Sequence, residues 1–327
     1  MATRRAFVAG GLALAAAPLW LRAQDKPAQR VYRVGVLDPA PRAANGANIA
    51  QLLDGLRALG YEEGRNLVME YRGGDARAER YAEFAAELVR AKVDLIVTAG
   101  TPATLAAKRA PLPVVTATVL DPVETGLVAS LERPGANVTG LAIVTSELEA
   151  KRMELLKALA PETKRVAAFM DMGNPAIVFA WHAIEAAAPA LGFEVRLYDV
   201  RKAKKLARAF DAAAAQKADA FVLRIGRLTE QDVRSVVALA AKRRWPAIYT
   251  VRRYVDAGGL MSYGVNTSHM YNRAATFVDR ILKGARPAEL PMEGPSKFEL
   301  VINRRTARAL ELVIPPDLLL RSDQVVG

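Results

Sequence analysis

The chain has 327 residues, 52% of them apolar and 24% charged, with a formal net charge of +12. That length suggests two domains, and that composition supplies a sizeable core and argues against wholesale disorder. Cysteine is absent and the histidines are His182 and His269, which excludes thiol nucleophiles, disulfides, Cys-based zinc sites, iron–sulfur clusters and a three-His zinc centre.

Residues 1–23 read as an export signal. Arg4 and Arg5 form a charged start, an apolar stretch runs from Ala6 to Leu21, and Ala23 offers a small residue at a cleavage point. The stretch is short for a bilayer span, which needs about 20 residues, and it carries Gly10, Gly11 and Pro18. Thr3-Arg4-Arg5-Ala6-Phe7-Val8 resembles a twin-arginine signal, with an ordinary secretory signal as the alternative. The mature chain is therefore expected in the periplasm, not spanning the membrane and without a lipid anchor. Removing Arg4, Arg5 and Arg22 takes the 46 cations to 43 against 34 anions, a net of +9. The basic runs at 201–205, 242–244 and 304–305 are short and lack interleaved aromatics, so they read as a solvated face and no nucleic-acid partner is expected.

From residue 31 onward, strand and helix alternate. Residues 31–37 form a short apolar strand. Ile49, Leu52, Leu53, Leu56 and Leu59 then keep helical spacing up to Gly60, a good C-terminal cap. A strand over 67–71 follows, then a helix marked by Tyr81, Phe84 and Leu88. Residues 93–98 form a buried strand, 101–109 a helix and 114–118 a fourth strand. This rhythm predicts an α/β fold with a parallel sheet covered by helices on both faces.

The rhythm then restarts. Arg33-Val34-Gly35-Val36 is echoed by Arg165-Val166-Ala167-Ala168, and Ala58-Leu59-Gly60-Tyr61-Glu62 by Ala190-Leu191-Gly192-Phe193-Glu194, at the same spacing. Lys92-Val93-Asp94 is echoed by Lys217-Ala218-Asp219. Three matches in the same order suggest two similarly built lobes in place of one continuous sheet. A cleft between lobes is a natural ligand site.

In open parallel sheets ligands bind beyond the carboxyl ends of the strands. The candidates there are Asp38; Gly100 and Thr101; Thr118 and Asp121; Asn174; Arg224 and Arg227; and Tyr249 and Arg252. Thr101-Pro102 and Asn174-Pro175 both read as helix starts, whose free backbone N–H groups can hold a carboxylate, although capping alone needs no ligand. Asp121 suits a ligand ammonium group or the closing of a turn. Arg224 and Arg227 suit a ligand carboxylate or a solvated rim. Tyr249 suits an aromatic wall or the core. There is no Gly-x-Ser-x-Gly elbow, phosphate loop or Gly-x-Gly-x-x-Gly, and neither histidine has a nucleophile or metal-ligand neighbour. No catalysis, cofactor or metal is expected.

Gly100-Thr101-Pro102-Ala103, Asp121-Pro122-Val123, the segments 125–131 and 133–140, Pro246-Ala247-Ile248-Tyr249, residues 257–264 and residues 297–303 together resemble a family of ABC-transporter substrate-binding proteins, which includes the tryptophan- and phenylalanine-binding type. The resemblance implies a type I periplasmic-binding-protein fold, with two Rossmann-like lobes joined by a hinge. It implies a small polar solute, an amino acid or carboxylate, and an ABC permease and ATPase as partners of a monomer. It also implies the lobe boundaries: 31–142 with about 265–292, and 143–264 with about 293–327. Glu124 stands where the family usually has glycine, Met172-Gly173 replaces a short polar pair, and residues 223–227 replace a more acidic, proline-containing segment. The two arginines there favour a more acidic solute. An exported carboxylate-dependent hydrolase and a solute sensor for a membrane receptor are the alternatives.

Overall fold

The computed structural model describes residues 30–73, 78–225 and 228–327. The expected signal and the candidate Arg227 lie outside the described residues. The compact unit runs from Val31 to Gly327.

The first half of the chain alternates β1 (Tyr32–Asp38), α1 (Gly46–Ala58), β2 (Leu67–Gly73), α2 (Tyr81–Arg90), β3 (Leu95–Ala99), α3 (Thr101–Ala107), β4 (Val114–Leu120) and β5 (Val138–Ile143). These strands make a five-stranded parallel sheet ordered β2-β1-β3-β4-β5. The chain winds to one side of β1 and then to the other, so the switch point lies beyond the ends of β1 and β3.

The second half continues with α4 (Thr145–Leu159), β6 (Arg165–Met170), α5 (Pro175–Ala187), β7 (Glu194–Asp199), α6 (Leu206–Ala215), β8 (Ala220–Arg224), α7 (Glu230–Arg243), β9 (Ala247–Tyr249), α8 (Arg253–Asp256), β10 (Met261–Val265) and α9 (Thr267–Leu282). It ends with β11 (Phe298–Asn303), α10 (Arg304–Ala309), α11 (Pro316–Arg321) and β12 (Gln324–Val326). The second sheet is ordered β12-β11-β10-β9-β8-β6-β7.

Side-chain alternation explains why each sheet carries two cores. Val34, Val36, Leu95 and Val97 face the core shared with α1 and α9, whereas Leu37 and Ile96 face the one shared with α2 and α3. Likewise Val166, Ala168 and Met170 face α4 and α5, while Ala167 and Phe169 face α6 and α7. Strands covered on both faces read as apolar runs, as Leu95-Ile96-Val97 of β3 does.

The expectation of wholly parallel sheets needs one correction. β11 is antiparallel to β10, although it is parallel to β12. The reason is connectivity. After β10 the chain leaves the second sheet and α9 packs on α1 beside the first. It returns past Glu293, which bridges to Leu141, so β11 enters from the end where β10 left. Three segments thus pass between the sheets: β5 to α4, β10 to α9, and the run before β11.

Candidate functional site

Strand ends from both sheets converge on a cavity of about 270 Å³. Pro39, Gly100, Thr118 and Ile143 reach it from the first sheet's strands, and Asp171, Arg224, Thr250 and Val265 from the second's. This follows from parallel winding, which puts β1, β3, β4 and β5 of the first sheet, and β6, β8, β9 and β10 of the second, with their carboxyl ends toward one rim of their sheet.

Of the sequence candidates, Gly100, Thr101, Thr118, Asn174 and Arg224 line this cavity. Gly100 has φ +79°, a backbone that favours glycine, and its N–H donates to the Thr118 carbonyl at 2.6 Å. The pairing register shifts at Thr98/Ala99 and again at Thr116/Val119, so the strand ends bend where the cavity begins. Asn174 caps α5, its side chain accepting from the Ala176 N–H at 3.2 Å. Thr101 does not cap α3; Gly100 occupies that position. The Thr101 hydroxyl instead exchanges hydrogen bonds with the Leu120 backbone at 3.2 Å, tying α3 to the end of β4.

The other described candidates, Asp38, Asp121, Tyr249 and Arg252, serve the scaffold and do not line the cavity. Asp38 accepts from the Ala40 N–H at 2.8 Å, Asn45 Nδ2 at 2.7 Å and the Tyr271 hydroxyl at 2.8 Å, which fastens β1 to α9. Burial raises its carboxyl above the ordinary value against the opposing effect of those donors. Asp121, at φ +44°, accepts the Thr145 N–H at 2.9 Å and its hydroxyl at 2.6 Å, which anchors the start of α4. Its carboxyl is likewise raised by burial. Both Asp121 oxygens are thus already used in holding Thr145. Tyr249 is fully buried, and its ring stacks on Tyr254 at 4.6 Å. Arg252 is half-exposed and pairs with Asp256 at 3.2 Å and Glu299 at 3.3 Å.

The structure adds a charged floor. Glu149 and Arg152 on α4 are buried, and Arg152 lines the cavity. Glu149 Oε1 lies 2.5 Å from Arg152 Nη1 and 3.0 Å from Arg224 Nε. Arg152 Nε also donates to the Tyr263 carbonyl at 2.7 Å. Burial lowers the Arg152 pKa and Glu149 opposes that shift. In sequence, Glu149 and Arg152 have the spacing of an ordinary surface pair one helical turn apart. Only their apolar neighbours Leu148, Met153 and Leu156 hinted at burial.

A family model described as ABC transporter substrate binding protein matches residues 33–326. The chain belongs to that family. A tyrosine-binding protein of Clostridioides difficile is 26% identical over 259 residues, covering 79% of this chain and 74% of the relative. A Streptococcus pneumoniae ABC domain solved in complex with L-Trp is 26% identical, with a TM-score of 0.83 over 90% of this chain and 100% of that one. A conserved domain protein from Vibrio cholerae is 28% identical, with a TM-score of 0.84 at the same coverages. This substrate-binding protein has the type I periplasmic-binding-protein fold. No helix among the described residues is long and apolar enough to cross a membrane.

Proposed function

We propose that this substrate-binding protein is the exported receptor of an ABC importer, taking one small carboxylate-bearing solute between its lobes. The observation that carries the reading is one cavity bounded by strand ends of both sheets. A solute there touches both lobes, so it favours the arrangement in which they close on it. At about 270 Å³ the cavity is just below the ~300–1,000 Å³ usual for ligand pockets, which suits a molecule of amino-acid size. The relatives named for tyrosine and L-Trp support that class.

In this reading the lobes are 31–142 with about 265–292 and 143–264 with about 293–327, and the chain works as a monomer. Residues 1–23 direct it to the periplasm. Its partners are a membrane permease and an ATPase. The cavity-lining candidates Gly100, Thr101, Thr118, Asn174 and Arg224 contribute to solute binding.

Calorimetric titration of the purified protein, unfolded and refolded to remove co-purified solute, tests this. The panel holds amino acids, organic acids, nucleobases and sugars. Saturable one-to-one binding without turnover is expected. Slow chemical conversion of the bound compound would replace the receptor by an enzyme.

A further inference from the structure

Among the described residues, the cavity combines apolar walls with one incompletely satisfied cation. Leu120, Ile143 and Leu148 meet Ile177, Val251 and Val265 around it. Arg224 reaches the same space with its side chain only 10% exposed. Its Nε and Nη2 are buried and form no hydrogen bond among the described residues, although Nε faces Glu149 at 3.0 Å. Arg152 differs, since it donates to both Glu149 and the Tyr263 carbonyl. Two guanidiniums therefore contact a single carboxylate, and Arg224 is the one left short.

Nearby acids do not make up the difference. Both Asp121 oxygens accept from Thr145. Asp171 lines the cavity, and its Oδ1 accepts from the Gly173 N–H within its own turn. A buried guanidinium with unmade hydrogen bonds favours an incoming anion, and its planar fork matches a carboxylate. An ammonium group entering the same space meets two like charges in the floor, Arg152 and Arg224, which share one carboxylate.

We propose that the solute is a monocarboxylate on an apolar body, that Arg224 holds its carboxylate, and that an α-ammonium group is not required for binding. This rests on the receptor reading above. A dicarboxylate fits less well, because the other lining guanidinium, Arg152, is already bonded to Glu149 and the Tyr263 carbonyl.

Matched pairs test the idea: 3-phenylpropanoate with L-phenylalanine, indole-3-propanoate with L-tryptophan, and 4-methylpentanoate with L-leucine. Within each pair only the ammonium group differs. The amines 2-phenylethylamine and tryptamine lack the carboxylate. Calorimetry on the full protein is expected to show at least one deaminated acid binding as tightly as its amino acid, and no heat from the amines. Arg224→Gln should weaken that acid by on the order of 10- to 100-fold, with Arg224→Lys between the two. The Glu149–Arg152 pair stays intact in both variants, and circular dichroism checks their folding. Amino acids binding tenfold or more above every deaminated partner would overturn the proposal. So would a folded Arg224→Gln protein of unchanged affinity. A sugar or nucleobase as sole ligand of the wider panel would also overturn it while leaving the receptor reading intact. If neither series nor panel binds, the receptor reading itself falls.

Discussion

Glu149 is the residue on which the cavity floor depends. Its carboxylate is almost fully buried and lies between two guanidiniums. Removing one partner of a buried ionic group leaves charge without compensation and typically costs about 3–5 kcal/mol. Glu149→Ala should therefore lose about that much in urea unfolding. Replacing all three residues with apolar ones of similar volume, as Glu149→Leu, Arg152→Met and Arg224→Met, should cost less than the single change. A single change with no measurable cost would mean that water reaches and neutralises the floor. Asp38 offers a second prediction, in pH. Its carboxyl is raised above 3.8 by burial, so between 3.8 and that raised value the folded protein holds a proton that the unfolded chain has released. Stability then declines as pH rises through this window, and the Asp38 contribution is fully present only below 3.8. Asp38→Asn removes the titration, so its unfolding free energy should fall less than the wild type's from about pH 4 upward. Parallel pH curves for the two proteins would contradict the assignment.

Elements show where local pattern suffices and where it does not. Strands such as β3 and helices such as α1 follow directly from unbroken apolar runs and i, i+3, i+4 spacing, because burial on one or two faces imposes those periods. The cap at Asn174 is local chemistry and was equally legible. Thr101 was not, because a hydroxyl before proline suits a cap as well as it suits the Leu120 backbone, and only the neighbouring strand decides between them. Tyr249 and Asp121 were hidden for a similar reason: their partners Tyr254 and Thr145 come from elements whose placement is tertiary. The direction of β11 was also invisible locally, since it depends on where the chain re-enters the sheet. The α1–α9 contact behind that detour is testable. A Cβ at Gly55 would lie 2.6 Å from the Asn272 carbonyl oxygen and 2.8 Å from the Ala275 Cβ. Gly55→Val should force the helices apart and cost about 1–3 kcal/mol. Gly46→Ala on the same helix meets nothing within 4 Å and should be neutral or slightly stabilising. Equal effects at the two sites would rule out close packing as the reason for glycine at 55.

Across the whole molecule, the two sheets share a cavity and are joined by three strands of chain. A single connection would let the lobes twist freely. With three connections, the motion proposed for this receptor is opening and closing about the crossing segments, the usual geometry of a hinge. In the proposed receptor, contacts from cavity-lining residues of both lobes, such as Thr101 and Asn174, would gain strength only when the lobes approach. The free-energy difference between open and closed forms is then set by the solute, and a solute touching one lobe alone would shift nothing. Small-angle scattering with a saturating solute from the calorimetric panel should show a smaller radius of gyration than the solute-free protein. The unfolding midpoint should also rise with concentration, since a solute at about 1,000 times its Kd stabilises by about 4 kcal/mol. The two readouts separate the steps. A raised midpoint with an unchanged radius would mean that the solute binds lobes already closed, so recognition by a permease would have to read something other than closure.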